Sequence, residues 1–254
     1  MSRLRRIRAE ATAAWHSFLR RRTAVFFTFF FPVLLVVIFG ALVRTQPTGG
    51  GLFAEPAAYY IPGYLATVVL FTPLSRVGSE IARHRDDNRF EKLATTPLGR
   101  GEWLVAHTLV NVAIIGLASL LILGLVVVLT GAVVPLTPRL ALLVPFVVFA
   151  VILFCGFGAI LGRLSSTQDG VIAASNTIAF PLLFLSDTFV PLELLPEWFA
   201  LLVELSPLTY FARGVRALTY EPAITDPYGT ELAVVAALAV AFFVAGAYAI
   251  PRTD

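Results

Sequence analysis

An all-α membrane protein with six transmembrane helices is the fold this sequence predicts, and three observations predict it. Hydrophobic residues make up 58% of the 254 residues and charged residues only 14%. A water-soluble domain carries roughly a quarter charged residues, and a single core could not hide this much apolar surface. The apolar residues gather in runs of the length a bilayer requires. The arginines flank those runs unevenly, as they do when one side of a membrane holds them.

Residues 1–22 come first. Leu4, Ile7, Ala11, Trp15 and Phe18 recur at helical spacing while Arg3, Arg5, Arg6 and Arg8 take the other faces. The pattern predicts an interfacial helix whose arginines, Arg3 and Arg6 among them, lie over lipid headgroups while Trp15 and Phe18 dip below. The first span follows at about 23–43, free of charge between Arg22 and Arg44. Its apolar core is longer than that of a signal peptide, and no small-x-small cleavage pattern follows, so it is expected to stay uncleaved. The second span, about 59–78, runs into Arg76.

The third, about 103–130, has His107 as its one titratable group, and the fourth, about 140–162, carries no charged residue. The fifth, about 170–190, is interrupted by Pro181 and closed by Asp187; the sixth, about 231–251, reaches Pro251. Between the last two, the stretch 192–211 holds Glu193, Glu197 and Glu204 with Pro196 and Pro207, which is too polar to cross. A re-entrant or interfacial hairpin accounts for it. No repeat or linker divides the chain, so 1–254 reads as one domain.

With the N-terminus inside, the inner segments hold fifteen of the nineteen lysines and arginines. Both termini are therefore expected in the cytoplasm, and the chain in the cell membrane. The isoelectric point near 9.3 does not indicate nucleic acid, because the arginines sit beside apolar runs and not on a basic domain. The one cysteine, Cys155, excludes an intramolecular disulfide and any multi-cysteine metal site. No His-Glu-x-x-His or Gly-x-Ser-x-Gly motif is present, so no metal centre or catalytic constellation is expected.

The inner loop between spans two and three mixes both charge signs, with Arg83, Asp86, Asp87 and Glu91 among apolar Phe90, Leu93 and Leu98, and breaks at Thr96-Pro97. The phase of Phe90 and Leu93 with the charges predicts a short helix that fits a protein groove. Within the spans, His107 and Asn111 share a face and, like Asn176, are expected to bond neighbouring helices. Gly158 and Gly162 predict a close helix contact, and Pro32 and Pro181 bends. Asp187 reads as a boundary residue, so Asp187→Asn is expected to leave transport largely intact.

Four stretches carry a family resemblance. Glu91-Lys-Leu-Ala-Thr-Thr-Pro-Leu-Gly-Arg-Gly-Glu-Trp-Leu resembles the inner stretch of ABC-2 type transporter permeases. Ile61-Pro-Gly-Tyr-Leu resembles that family's second span and Phe180-Pro-Leu-Leu-Phe-Leu-Ser its fifth. Leu195-Pro-Glu-Trp-Phe, with Leu205-Ser-Pro-Leu-Thr-Tyr and Arg213-Gly-Val-Arg-Ala-Leu, resembles its outer segment. Asp187 departs from the pattern, in which glycine usually follows the serine.

The resemblance implies the permease of an ABC exporter that moves an amphipathic or hydrophobic solute such as a drug, antibiotic or lipid. It implies a homodimer, or a heterodimer with a related permease, and a separate ATP-binding subunit that holds the ATP and Mg. By likeness, the N-terminal helix and Arg83, Asp86, Asp87, Phe90, Glu91, Leu93, Thr96 and Pro97 would couple to that subunit. Leu195, Pro196, Trp198, Pro207, Tyr210 and Arg213 would shape an outer gate. Independently, a P-loop ends in Gly-Lys-Ser/Thr; the sole lysine, Lys92, follows Glu91, so no such ATPase site lies in this chain. An ion-coupled carrier or a membrane scaffold is the alternative; the first would want midplane carboxylates.

Overall fold

The computed structural model describes residues 2–42, 55–189, 196–220 and 228–251. Those residues form helices and turns, with no strand among them. In chain order the α-helices are α1 (Arg3–Arg20), α2 (Arg22–Leu35), α3 (Ile61–Asp86), α4 (Arg89–Ala94) and α5 (Arg100–Thr130), then α6 (Leu143–Leu164), α7 (Gln168–Phe184), α8 (Ala200–Leu205), α9 (Pro207–Thr219) and α10 (Tyr228–Ala249).

Five helical stretches are long and apolar enough to cross a membrane: Arg22–Gly40, Ala57–Asp86, Arg100–Thr130, Pro138–Leu164 and Tyr228–Ala249. The fifth of the six expected spans is shorter than the range 170–190 implied. Its helix, α7, has 17 residues, about 26 Å at 1.5 Å per residue, against roughly 30 Å of hydrocarbon. Pro181 lies in its last turn, and the hydroxyls of Ser186 and Thr188 both donate to the Leu183 carbonyl, at 2.9 and 2.6 Å. Side chains that take the last carbonyls leave nothing to continue the helix.

The core is built around α3. It packs against α5, α6, α7 and α9, and nearly its whole circumference is buried. α6 lies between α3 and α10. Glycines set both contacts. A Cβ at Gly158 would stand 2.5 Å from the Leu74 carbonyl oxygen, and one at Gly162 would stand 2.6 Å from that of Gly78. On another side of α6, Gly156 meets Gly246, whose Cβ would lie 2.5 Å from the Gly156 carbonyl. The expected Gly158–Gly162 contact is therefore present, completed by Gly78 of α3, while Gly156 and Gly246 form a second one between α6 and α10.

Helix α5 has 31 residues, about 46 Å, so roughly ten residues extend past the hydrocarbon. Its far end is closed by Gly131 in the left-handed region (φ +67), where an L side chain is strained. α2 holds Pro32 and passes into a wider π-helical stretch, Val36–Leu42, as a proline-broken hydrogen-bond ladder allows.

α9 carries a buried apolar face of Leu208, Phe211, Ala212, Val215 and Leu218, and seats it on α3, α6 and α10. The expected hairpin over 192–211 thus becomes two helices, α8 and α9, joined at Ser206, and α9 is a packed part of the core. α8 turns Leu201 and Leu205 outward beside Trp198.

Candidate functional site

The arginine-rich end of the bundle gathers α1, α4, the start of α5 and the end of α10. α3 ends there, and Asn88 in the left-handed region (φ +52) reverses the chain into α4. Asparagine tolerates this conformation better than other non-glycine residues. Phe90 then turns inward, with ring centroids 5.5 Å from His84 and 5.9 Å from Trp103. Arg83 also turns inward, to Glu80.

Two of the eight residues expected to couple to a partner therefore hold the chain's own core. The burial of Phe90 makes Phe90→Asp a test of folding, not of docking. Asp86, Asp87, Glu91, Thr96 and Pro97 are exposed and Leu93 is half-buried. Leu93 and Thr96 border a cleft of about 840 Å³ that reaches the end of α10 at Tyr248 and Pro251.

The N-terminal helix lies along α5, which covers part of its apolar stripe and leaves Leu4 exposed. Ala14 and Phe18 are buried against Val110 and Ile114, with Ala11 and half-buried Trp15 beside them. Arg6 grips Glu102 with two nitrogens, at 2.9 Å to Oε2 and 2.5 Å to Oε1, and Arg3 adds a third contact at 3.1 Å. The hydrogen bond to Glu102 raises the pKa of Arg6 above its ordinary value. Glu102 also accepts the Gly99 N–H at 3.1 Å, which caps its own helix.

A protein carboxylate fits the arginine fork as well as a headgroup phosphate does, and it is fixed in place. Glu102→Ala is expected to release α1 while α3 and α6 keep their packing. Hydrogen exchange should speed up on the order of tenfold over Arg3–Arg20 and stay unchanged in the core.

Between α1, α2, α3 and α7 opens a second cleft, of about 700 Å³. Arg76, Ser79 and Glu80 line it from α3, and Asn176 from α7. Glu80 is paired with Arg83, with His84 Nε2 at 3.2 Å and with Arg21 at 3.6 Å. His107 contacts Glu10 at 3.3 Å and stacks on Trp103 at 3.9 Å. Asn111 accepts a long bond, 3.4 Å, from Arg76. Both therefore serve contacts between helices, as expected. Asn176 stands exposed on α7.

The opposite end carries a second ion network. Arg216 donates to the Asp187 carboxylate at 2.9 Å and to its carbonyl at 2.6 Å, under the Tyr59 ring at 4.1 Å. Arg213 reaches Glu204 at 2.6 Å and Asp187 at 3.7 Å. Burial pulls the pKa of Arg213 down, but Glu204, Asp187 and Glu231 outweigh it and hold it above the usual value.

Of the outer residues predicted from sequence, Tyr210 donates to the Glu204 carbonyl at 2.8 Å, Pro207 opens α9, and Pro196 and Trp198 are exposed. Leu195 lies outside the described residues. Sequence reasoning missed Arg76, Glu80, Glu102 and Arg216. The four-residue spacing of Arg76, Glu80 and His84 was the available signal, since it puts three polar groups on one helix face.

The sequence pattern of the family described as ABC-2 type transporter matches residues 5–220. A daunorubicin resistance ABC transporter permease protein, DrrB1, of Streptomyces coeruleorubidus is 27% identical over 219 residues, covering 83% of this chain and 75% of its own. Two proteins named as transport permease ycf38 are also similar. That of Cyanophora paradoxa is 26% identical, over 74% of this chain and 64% of its own. That of Porphyra purpurea is 25% identical, over 73% and 64%.

Proposed function

This chain belongs to the ABC-2 type transporter family, and from that premise we propose that it is the permease subunit of an ATP-driven exporter. Permeases of this family work with a separate ATP-binding subunit. In this reading that subunit holds the ATP and Mg, and two permeases, identical or related, form the path. The cargo is an amphipathic or hydrophobic solute, drug-like or lipid-like, which the daunorubicin resistance relative favours. The arginine-rich end faces the cytoplasm, with both termini, in the cell membrane.

The observation that carries the reading is the build of α4. Phe90 fixes the helix to the span beneath it while Asp87, Glu91 and Lys92 face outward. A rigidly seated helix with a charged outer face passes a partner's movement directly to α3 and α5. α1 joins the same transmission through Glu102. At the other end, Arg213 and Arg216 tie α9 to the end of α7, which gives an outer gate a definite latch.

An ion-coupled carrier needs a carboxylate free to exchange ions near the midplane. Glu80 and Asp187, paired with arginines toward opposite ends of the bundle, do not offer one.

The test is affinity purification of the chain in mild detergent. A stoichiometric ATP-binding subunit is expected, and the Glu91→Lys, Lys92→Glu double variant should lose about tenfold or more of it at unchanged thermal stability. A preparation without that subunit across several gentle detergents would overturn the reading.

A further inference from the structure

The cleft between α1, α2, α3 and α7 has two unequal halves. Its wall toward the membrane is aromatic, with Phe27, Phe31, Phe71 and Phe180; three of these are exposed, at 62%, 43% and 49% for Phe27, Phe31 and Phe180. Its floor is polar, and the charges there are not evenly satisfied. Glu80 is taken by Arg21, Arg83 and His84.

Arg76, one turn earlier on α3, has two neutral contacts. It lies 4.5 Å over the Phe18 ring and donates the long bond to Asn111. No carboxylate among the described residues lies within ion-pair distance of it. Beside it, Ser79 presents a buried hydroxyl with no hydrogen-bond partner. Glu80, one turn on, attracts Arg76 only from beyond contact distance and is itself in contact with Arg21, Arg83 and His84. Buried polar groups in native proteins are nearly always satisfied, so an orphan hydroxyl next to a cation with no direct ion pair marks a place for a ligand.

Depth limits what that ligand is. Counted back from Thr130, roughly twenty residues of α5 cover the ~30 Å of hydrocarbon. That sets Asn111, and Arg76 beside it, at the edge nearer α1 and α4. Headgroup phosphates and carboxylates lie at this level.

We infer that the cleft binds an amphiphile with an acidic headgroup, which pairs with Arg76 and Ser79 while its tail lies along the phenylalanine wall. This deepens the permease reading by naming the chemistry of what the inner cleft takes, and it rests on that reading only for the direction of movement. A resident membrane lipid and an exported lipid-like cargo share this chemistry.

Native mass spectrometry of the full chain titrated with phosphatidylglycerol and phosphatidylcholine tests it. The first site should prefer phosphatidylglycerol by about tenfold, as one desolvated charge pair allows. Arg76→Gln should abolish the preference, and Arg8→Gln, at an exposed position on α1, should leave it unchanged. Thr72→Trp fills the cleft from its half-buried rim and leaves the arginine in place, so it should also block binding. It decides the matter if Arg76→Gln fails to fold. Millimolar inorganic phosphate should not displace the lipid; displacement would overturn the amphiphile in favour of a free anion. A preference that survives either cleft variant at unchanged stability would overturn the site itself.

Reconstitution with the ATP-binding subunit separates the two sources. Turnover stimulated by phosphatidylglycerol and lost in Arg76→Gln marks a cargo; binding without stimulation marks a resident lipid, and both support the site. The binding arm uses no ATP-binding subunit, so its failure leaves the co-purification result untouched.

Discussion

Replacing Asp187 with alanine is expected to destabilise the protein by about 3–5 kcal/mol, the usual cost of stranding one member of a buried ion pair. Asp187 is 7% exposed and Arg216 6%. The variant leaves the Arg216 guanidinium buried, held by the backbone carbonyl of residue 187 and the Tyr59 face without a carboxylate between them. Because Arg216 lies on α9 and Asp187 follows α7, the loss loosens the end of the bundle opposite α4. Thermal unfolding in detergent, with trypsin cleavage after Arg213 and Arg216, reads it directly.

Asp187→Asn should fall about halfway, since its amide oxygen still accepts from Arg216 without the charge. The sequence predicts only that this change leaves transport largely intact, because Asp187 next to Thr188 reads as a boundary residue. Its partner lies 29 positions away on α9, a helix that begins inside the stretch 192–211 expected to form a hairpin and runs beyond it. By contrast Glu204, half exposed in its pair with Arg213, should matter by only about 0.2–1 kcal/mol.

The second large effect is expected at the glycine seam between α3 and α6. Gly162→Leu places a side chain where a single Cβ already stands 2.6 Å from the Gly78 carbonyl and 2.9 Å from its Cα. Backbone lines the contact, so no rotamer relieves it, and the two helices must separate. Even Gly162→Ala should cost about 3 kcal/mol, the upper range for overpacking, and the leucine variant should not yield folded protein in mild detergent.

Gly116→Ala and Gly124→Ala on α5 are the controls, with nothing within 4 Å of the added carbon. They should be neutral or stabilising by up to about 1 kcal/mol, because alanine restricts the unfolded helix. Opposite signs for glycines of similar sequence setting would show that backbone approach, not glycine content, holds the bundle together.

Much of the architecture was legible because lipid writes a simple code. Every backbone polar group must be satisfied within a crossing segment, so apolar runs of sufficient length become helices. Five of the six expected runs are helices long and apolar enough to cross. The α4 helix was readable from the phase of Phe90 and Leu93 with the surrounding charges. Which side of it would be buried was not, because Phe90 suits a partner's groove and the chain's own Trp103 equally well.

The same ambiguity governed the N-terminal helix. An apolar stripe flanked by arginines fits a membrane interface, and it fits α5 as well, once Glu102 stands where a headgroup phosphate would.

Composition, run length and the placement of arginine determined by themselves that this chain is a helical membrane protein, and its quoted stretches placed it near its family. Only the tertiary structure decided which charges are partners: Arg6 with Glu102, Arg216 with Asp187, and Arg76 with no carboxylate in ion-pair contact among the described residues. The physical reason is range. Hydropathy is a local property of consecutive residues, set by the solvent around them. An ion pair depends on which helices lie side by side, and in lipid that choice is made by close-packed glycines and a few buried polar contacts spread along the whole chain.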